Sequence, residues 1–472
     1  MFYNISNDIS RKIINLIESN DFKKVFSFES IFAGYFESGD NTIFLRDTLG
    51  IVPLHYRIDK DEIQISIKIT DLIKKGDKIN KKGAVDFISF GSTRISPIIE
   101  NINICPPGSI MQFNKKRKKL SILYKNKIHP RNLNNINENN ILEEYKELFS
   151  SAISKNRTKK NQVIFLSGGI DSACIALKDK NILDAITILP WGKNSSEKES
   201  SKKNAKIADI KSHQFIDVNE KVLNKNIPEL IKKYGTPLGT IHYLIMDHAF
   251  SNNFLSKYSS IAFGQNLDTL SCAAGSQPTS ILLPSIIRKK IFKEKNVVNF
   301  FLKINTGHLS SENQEIIDEY ISDDLTEYQK IILSGIFITH TPLDSEYFIL
   351  PSLVNNKKIF NPYYDQKIVE FFLGLKKKLY LDFSRKTWKF PIKIDKQIQK
   401  KLWEHLSNNK EYQQKKGLYL SSQNIMIRDI LKSTPKFLEG KPIKLENQRF
   451  SAKNFIDFCK EYDLENPISF TQ

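Results

Sequence analysis

The sequence predicts an α/β protein in which a β-rich amino-terminal unit precedes a larger unit built on a parallel sheet. From Val25 to about Tyr124, short alternating or apolar runs are broken by glycine and aspartate turns, which is typical of strands. Beyond residue 140, compact apolar runs alternate with segments of helical spacing, the pattern of a parallel α/β sheet. A chain of 472 residues is also too long for one ordinary core.

The composition indicates a globular protein that we expect in the cytoplasm. Hydrophobic residues make up 40% of the chain and aromatic residues 11%, enough for sizeable cores. No stretch approaches the ~18 apolar residues of a membrane span, and the opening residues contain no apolar leader. The four cysteines, which lack metal-binding or redox spacing and fit a reducing compartment, are Cys105, Cys174, Cys272 and Cys459.

The charge is strongly basic, with 71 Lys and Arg against 52 Asp and Glu, a formal net charge of +19. Such a charge attracts phosphates, nucleic acid or acidic substrates. The lysines are spread among Ile and Asn along the whole chain and are not clustered with aromatic residues. We therefore interpret the charge as a compositional bias and do not expect nucleic acid as a partner.

The first unit is predicted to cover residues 1–125. Its strand-like runs include Thr42–Leu45 and Ile63–Ile69. It is followed by 126–140, where Asn, Pro130 and charged residues remove all periodicity, so this stretch is predicted to be a linker. The second unit then covers residues 141–472.

The second unit opens with a predicted helix followed by a buried strand, Val163–Leu166. Two further apolar runs, Ala185–Leu189 and Ser260–Phe263, predict more strands of the same sheet. The carboxyl-terminal part is predicted to be mostly helical. Helical spacing is carried by Ile141, Tyr145, Leu148, Phe149 and Ala152 in the first helix and by Ile368, Val369, Phe371, Phe372 and Leu375 later.

The sharpest motif is the turn between the strand Val163–Leu166 and the next helix. Two adjacent glycines let the backbone turn tightly and present bare N–H groups to phosphate oxygens, and the helix start adds its positive end. An aspartate at the mouth can hold Mg²⁺, and hydroxyls can add hydrogen bonds. The alternative is an ordinary strand-to-helix turn with capping residues. The predicted binding residues are Ser167, Gly168, Gly169, Asp171 and Ser172.

This turn resembles the SGGxDS loop of the ATP pyrophosphatase, or PP-loop, superfamily. Members of that superfamily split ATP between the α and β phosphates and release AMP and pyrophosphate. The resemblance implies that ATP and Mg²⁺ are bound, with Asp171 as a metal ligand.

The surrounding segments resemble the synthetase domain of asparagine synthetases, over Ile141–Ala176, Glu197–Val218, Pro237-Leu238 and Ser260–Asp268. In the last segment the family has Ser-Gly-Glu-Gly-small-Asp-Glu. The aligned residues here are Phe263, Gly264, Gln265, Asn266, Leu267 and Asp268. The resemblance implies that Gly264 contacts ATP and that Asp268 is the second metal-binding aspartate, although a turn or cap role for Asp268 stays open. Gln265 replaces an acidic residue, which argues against the ordinary asparagine reaction.

Two later segments extend the resemblance. Asn361–Asp365 is similar to the family's Pro-Phe-Leu-Asp segment, and Lys415–Leu418 is similar to its Lys-x-Gly-Phe element. The resemblance implies that Lys415 is the catalytic cation aimed at the reacting phosphate and tetrahedral intermediate. The alternative is a solvated lysine in a lysine-rich chain.

The first unit resembles the Ntn-type glutaminase domain of the same family, with its best match over Phe44–Tyr56 and shorter matches at Phe90-Gly91 and Cys105–Gly108. A working glutaminase needs a cysteine directly after the initiator methionine, and Phe2 stands there. The unit is therefore interpreted as a degenerate glutaminase-like domain. Arg46 and Asp47 are then expected to serve folding and domain contact.

These observations predict an ATP-dependent ligase that adenylates a small-molecule or peptide carboxylate for attack by an amine. Relatives without a working glutaminase include β-lactam and carbapenam synthetases and lasso-peptide macrolactam cyclases, so lactam or macrolactam closure is one form the reaction can take. Three alternatives stay open: an ammonia-dependent asparagine synthetase, a tRNA-modifying PP-loop enzyme, and a non-catalytic nucleotide-binding relative. The residues do not define the oligomeric state.

Overall fold

A computed structural model shows a mixed α/β protein with antiparallel sheets in its first part and a five-stranded parallel sheet in its second. The predicted α/β class with a parallel sheet is thus confirmed. The structure describes residues 1–94, 96–133, 136–156, 161–189, 196–218, 226–271, 325–376, 379, 381–382, 393–394, 396–408 and 446–464.

The first part contains two antiparallel sheets, ordered β1-β2-β3-β7-β8 and β5-β4-β6. This arrangement confirms the predicted β-rich character. Its elements are β1 (Phe2–Tyr3), α1 (Asn7–Glu18), α2 (Phe22–Val25), β2 (Ala33–Ser38), β3 (Asn41–Arg46), β4 (His55–Asp59), β5 (Glu62–Ser66), a 3₁₀ turn (Ile69–Leu72), α3 (Lys81–Phe90), β6 (Asn103–Ile104), β7 (Ser109–Asn114) and β8 (Lys119–Lys125).

Helix α1 is not among the elements that the sequence predicted. Ser6 caps it by accepting a hydrogen bond from the Ile9 N–H at 3.4 Å. Ile13 and Ile17, one helical turn apart, are buried against the first sheet together with Leu45. A serine cap followed by apolar residues at helical spacing was the signal that could have predicted this helix.

The second part begins at α4 and supplies the parallel sheet. Its described elements are α4 (Glu138–Asn156), β9 (Gln162–Phe165), α5 (Ile170–Lys178), β10 (Asp184–Leu189), α6 (Ser196–Ile207), β11 (Ser212–Asp217), α7 (Ile227–Tyr234), α8 (His242–Phe250), a 3₁₀ turn (Asn253–Lys257), β12 (Ser260–Ala262), α9 (Leu267–Leu270), α10 (Glu327–Ser334), a π-helical turn (Gly335–Thr339), α11 (His340–Val354), β13 (Lys358–Phe360), a 3₁₀ turn (Pro362–Tyr364), α12 (Gln366–Gly374), β14 (Leu381–Asp382), β15 (Lys393–Ile394), α13 (Gln397–Leu406) and α14 (Glu446–Glu461).

The parallel sheet has the order β11-β10-β9-β12-β13. From β9 the chain proceeds through β10 to β11 on one side and then crosses to β12 and β13 on the other. In open α/β sheets, ligands bind outside the carboxyl ends of the strands where the order reverses, here between β9 and β12. In these two strands Ser260 pairs with Gln162 and Ala262 pairs with Ile164, so the segments that follow them leave the sheet side by side.

The three predicted strands of this sheet correspond to β9, β10 and β12. The segment Glu197–Val218, which was singled out by the resemblance, contains α6 and β11. Strand β13 was not expected. It has three residues and follows the polar turn Asn355–Lys357, so no apolar run announces it. Its pairing with β12 brings Asn361–Asp365 to the same edge of the sheet.

The stretch between the two parts packs tightly. The Arg131 N–H donates to the Glu370 carbonyl oxygen at 2.9 Å, and a Cβ on Gly374 would lie 2.0 Å from the Arg131 oxygen. One apolar cluster runs through both parts, from Phe44 to Phe455. The boundaries at 125 and 140 stay a prediction, because the core is continuous across them.

Among the described residues, no helix is both long enough and apolar enough to cross a membrane.

His55 in β4 is expected to make the stability of the folded protein depend on pH. Burial, aided by the charges of Arg46 and Arg94, lowers the pKa of His55 to about 3, from 6.5 in an unperturbed side chain. Its Nδ1 has no hydrogen-bond partner among the described residues. Below pH ~6.5 the unfolded chain therefore binds a proton that the folded chain excludes. The contribution of His55 to the free energy of unfolding is therefore fully present above pH ~6.5, and it falls by about 1.4 kcal/mol per pH unit as the pH drops toward ~3.

We expect His55→Gln to remove this dependence, because glutamine does not titrate. Thermal unfolding followed by circular dichroism between pH 7.5 and pH 5 should show a smaller fall in melting temperature for the variant than for the parent protein. Parallel melting curves across this range would contradict the assignment.

Candidate functional site

The turn between β9 and α5 is held by its own hydroxyls. The Ser167 N–H donates to Ser172 Oγ at 3.0 Å, and the Gly169 N–H donates to Ser167 Oγ at 3.0 Å. The two serine oxygens are 3.1 Å apart. Asn204 on α6 adds a hydrogen bond from its Nδ2 to the Ser167 carbonyl oxygen at 3.2 Å. The turn is therefore ordered by protein contacts before any ligand arrives.

Helix α6 packs so closely against position 168 that only glycine fits there. A Cβ at this position would lie 2.6 Å from the Ser200 Cβ, too close for any larger residue. The Gly168 N–H donates to Glu197 Oε1 at 2.8 Å. The expectation that both glycine N–H groups are bare is wrong, because Glu197 and Ser167 accept them. The amino-terminal end of α5 is the part of this turn that stays available to an anion.

The segment after β12 lies directly against this turn. A Cβ on Gly264 would be 2.6 Å from the Ser172 nitrogen and 2.9 Å from the Ser172 Cα, so only glycine fits there. Asn266 then adopts a left-handed conformation with φ of 78°, which asparagine tolerates better than most residues. This turn starts α9 and places Asp268 in its first turn. The sequence-predicted residues Gly264 and Asp268 thus lie beside the predicted phosphate loop.

Lys396 joins the two predicted metal-binding aspartates. Its Nζ lies 2.6 Å from Asp171 Oδ2 and 2.5 Å from Asp268 Oδ1. The Lys396 and Asp171 side chains are only 16% and 15% exposed, whereas Asp268 is 53% exposed. The two carboxylates therefore converge on one cation, with Asp268 on the solvent side.

The charges of this trio depend on one another. Burial raises the pKa of Asp171 to about 6, while Lys396 opposes the rise and Asp268 adds to it. Burial alone would lower the pKa of Lys396, but the two carboxylates outweigh burial and raise it. At neutral pH Lys396 is an ammonium ion between two carboxylates.

A divalent cation fits these residues when it arrives with other ligands. Asp171 Oδ1 is buried and has no hydrogen-bond partner among the described residues, so one oxygen at the centre of the site is uncommitted. Within the same ranges, no three His, Cys, Asp or Glu side chains cluster closely enough to hold a metal. Mg²⁺ commonly takes one or two carboxylates and completes its shell with water and substrate phosphates. The site therefore suits Mg²⁺ carried by a polyphosphate.

Tyr363 connects the two aspartate-bearing segments. Its hydroxyl donates to the Asp171 carbonyl oxygen at 2.9 Å, and its own carbonyl oxygen accepts from Asn266 Nδ2 at 2.7 Å. Gln399 on α13 donates from Nε2 to the same hydroxyl at 2.8 Å. Tyr363 lies in the segment Asn361–Asp365 that the resemblance had singled out, although its role had not been foreseen.

Sequence reasoning missed Lys396 and Gln399. They lie three residues apart at the start of α13, with nothing local to distinguish this lysine from the many others of the chain. Lys415, the predicted catalytic cation, lies outside the described residues, so its role stays a prediction.

Gln265 lies at the edge of the site. Its carbonyl oxygen accepts a hydrogen bond from Asn361 Nδ2 at 3.1 Å. Its Oε1 is buried and has no partner in the described part of the chain. Gln265 directly precedes Asn266, and its neutral amide adds no charge to the group formed by Lys396, Asp171 and Asp268.

Comparison with known proteins adds no assignment: no family model matches the chain, and no curated protein matches its sequence. The function must therefore be inferred from the geometry of these residues.

The contact between Gly264 and the start of α5 can be tested directly by substitution. We expect Gly264→Ala to lower the free energy of unfolding by about 1–3 kcal/mol, because the new Cβ must displace backbone at Ser172. Chemical denaturation measures this loss.

The matched control is Gly169→Ala in the same turn, where the nearest atom of the described residues to the added Cβ is Ser167 Oγ, at 3.1 Å. It should lose clearly less stability. Equal losses for the two variants would show that Gly264 does not lie against the helix start.

Proposed function

We propose that this protein is an ATP-dependent ligase that adenylates a carboxylate, releases pyrophosphate, and transfers the acyl group to an amine with loss of AMP. One observation carries the proposal: Asp171 and Asp268, from the segments that follow two adjacent parallel strands, share Lys396 at the point where the strand order reverses. The glycine turn and the start of α5 lie beside them.

Each group of this site has a role suited to phosphoryl chemistry. The start of α5 offers its positive end to phosphate oxygens, and Ser167 and Ser172 offer hydroxyls. Asp171 and Asp268 are the residues that would hold Mg²⁺, and the ion would supply positive charge to neutralise the phosphates of ATP. Lys396, fixed by both aspartates, is a preorganised cation for charge that develops as the bond to pyrophosphate breaks.

ATP, the carboxylate and the amine supply every atom that the proposed reaction needs. An oxygen of the substrate carboxylate attacks the α-phosphorus, and the bond from that phosphorus to the pyrophosphate oxygen breaks. The amine then attacks the acyl carbon, the bond to AMP breaks, and the amine loses one proton. Holding the two substrates in line supplies much of the rate in such reactions.

Contacts in the amino-terminal part favour a source of the amine other than glutamine. Phe2, where a glutaminase has its nucleophile, packs its ring on Phe36 with centroids 6.3 Å apart and lies close against Gly34. Arg46 donates to the carbonyl oxygens of Val52 and Cys105, so its guanidinium is used inside the fold. An amine carried by a small molecule or a peptide is the substrate class that we propose.

The proposed reaction predicts amine-dependent release of AMP from ATP and a carboxylic acid. Asp171→Asn and Asp268→Asn should each lower kcat/KM by about 100-fold or more, because each variant loses an anionic ligand for Mg²⁺ and a carboxylate that fixes Lys396. Release of AMP and pyrophosphate, measured with panels of acids and amines, tests this expectation.

Asp209→Asn is the matched control, because Asp209 is an exposed partner of Lys211 outside the site, and it should retain full activity. If the parent protein forms no AMP with any panel and Asp171→Asn leaves ATP affinity unchanged, nucleotide does not bind here. Salt-sensitive retention of tRNA would favour the tRNA-modifying alternative.

Lys396→Met tests the shared cation separately. Removal of the ammonium leaves two carboxylates in close approach without a cation, and we expect about a 100-fold fall in kcat together with a lower melting temperature. Steady-state kinetics and thermal unfolding measure the two effects. Full activity in this variant would assign the catalytic charge to another residue.

A further inference from the structure

A buried arginine ties the amino-terminal part to the second part. Arg94 is 6% exposed and donates to the carbonyl oxygens of Gly50 at 2.6 Å and of Thr341 at 2.9 Å. It also donates to the Ile51 carbonyl oxygen and to Ser345 Oγ. One guanidinium thus holds a loop of the first part to the start of α11.

The same contact region contains a buried carboxylate. Glu346 accepts hydrogen bonds from the Thr93 N–H at 3.2 Å, from Thr93 Oγ1 at 3.0 Å and from Thr236 Oγ1 at 3.3 Å. Ser92 Oγ is a further donor. Because a buried charge is tolerated only when its hydrogen bonds are satisfied, this network fixes the relative positions of its members.

From α11 the network continues into the candidate site. Thr341 Oγ1 donates to Asn266 Oδ1 at 2.7 Å, and Asn266 Nδ2 donates to the Tyr363 carbonyl oxygen at 2.7 Å. Asn266 is therefore held at both ends of its amide while its backbone is left-handed. Asp268 lies two residues further along the same turn.

We propose that Arg94 is a positioning residue that acts through Thr341 and Asn266, so that the amino-terminal part fixes the turn carrying Asp268. Each link is a direct hydrogen bond between buried groups. Asn266 is the vulnerable link, because loss of the Thr341 hydroxyl leaves its buried carbonyl oxygen unsatisfied and its left-handed backbone less supported. The effect on activity rests on the proposed function, whereas the effect on the turn does not.

The test uses the full chain and Thr341→Val, which removes the hydroxyl and keeps the side-chain shape and the carbonyl oxygen that Arg94 binds. Thr341→Ser keeps the hydroxyl and serves as the rescue. Thr42→Val is the matched control, because Thr42 is equally buried and its Oγ1 donates to Glu37, away from the site. Arg94→Lys keeps the charge but loses the planar fork.

Hydrogen exchange of the backbone amides in 264–271, measured without nucleotide, is the first readout. We expect exchange about tenfold faster in Thr341→Val and in Arg94→Lys, the factor that corresponds to one lost buried hydrogen bond, and no change in Thr42→Val. Thr341→Ser should restore the parent rates. Exchange in 264–271 that stays within about twofold of the parent rate in both variants would overturn the proposal.

Binding of Mg²⁺–ATP is the second readout. The dissociation constant should rise about fivefold in Thr341→Val, while the melting temperature stays close to that of Thr42→Val. If the parent protein fails to bind ATP, the proposed function fails, and the exchange rates still decide the positioning role. Faster exchange in Thr42→Val to the same extent would show a general loss of stability and would also overturn the proposal.

Discussion

The site depends on the ion contacts of Lys396 with Asp171 and Asp268. Two carboxylates brought this close, one of them mostly buried, repel each other and favour protonation unless a cation lies between them. Lys396 supplies that cation from a third segment, at 2.6 Å and 2.5 Å. The trio carries one net negative charge, with an uncommitted buried oxygen on Asp171. This arrangement is the basis of the proposal that the site takes a divalent cation together with phosphates.

Buried charges of the amino-terminal part lead by hydrogen bonds toward this centre. Its most buried charges, Arg46 and Asp47, are satisfied by backbone groups of the same part: Asp47 accepts the N–H groups of Ile51 and Val52, and Arg46 donates to the Gly50 oxygen. Arg94 shares that Gly50 oxygen and reaches across to α11. Arg46 and Arg94 thus meet at the Gly50 oxygen, from which the network leads through Arg94 toward Asn266. The expectation that Arg46 and Asp47 serve domain contact stays a prediction.

Short sequence patterns were enough to predict those elements whose defining residues lie next to one another in the chain. The apolar runs of β9, β10 and β12 and the glycine turn each lie within a few residues, so composition and spacing were enough. Strand β13 and the role of Lys396 were missed, because both depend on partners far along the chain. β13 is a strand only by pairing with β12, and Lys396 is distinguished only by contacts with aspartates more than a hundred residues earlier.

Two residues of the site have a left-handed backbone conformation. Asn266 and Lys396 have φ of 78° and 44°, in the left-handed region. This conformation costs a residue such as lysine about 1–2 kcal/mol, and asparagine less. Each is held there by its own side chain: Asn266 by Thr341 and Tyr363, and Lys396 by the two aspartates. Such strain persists only where surrounding contacts over-determine the conformation. The contacts that assemble the carboxylates are thus the same ones that sustain the strain, and loss of either loosens the other.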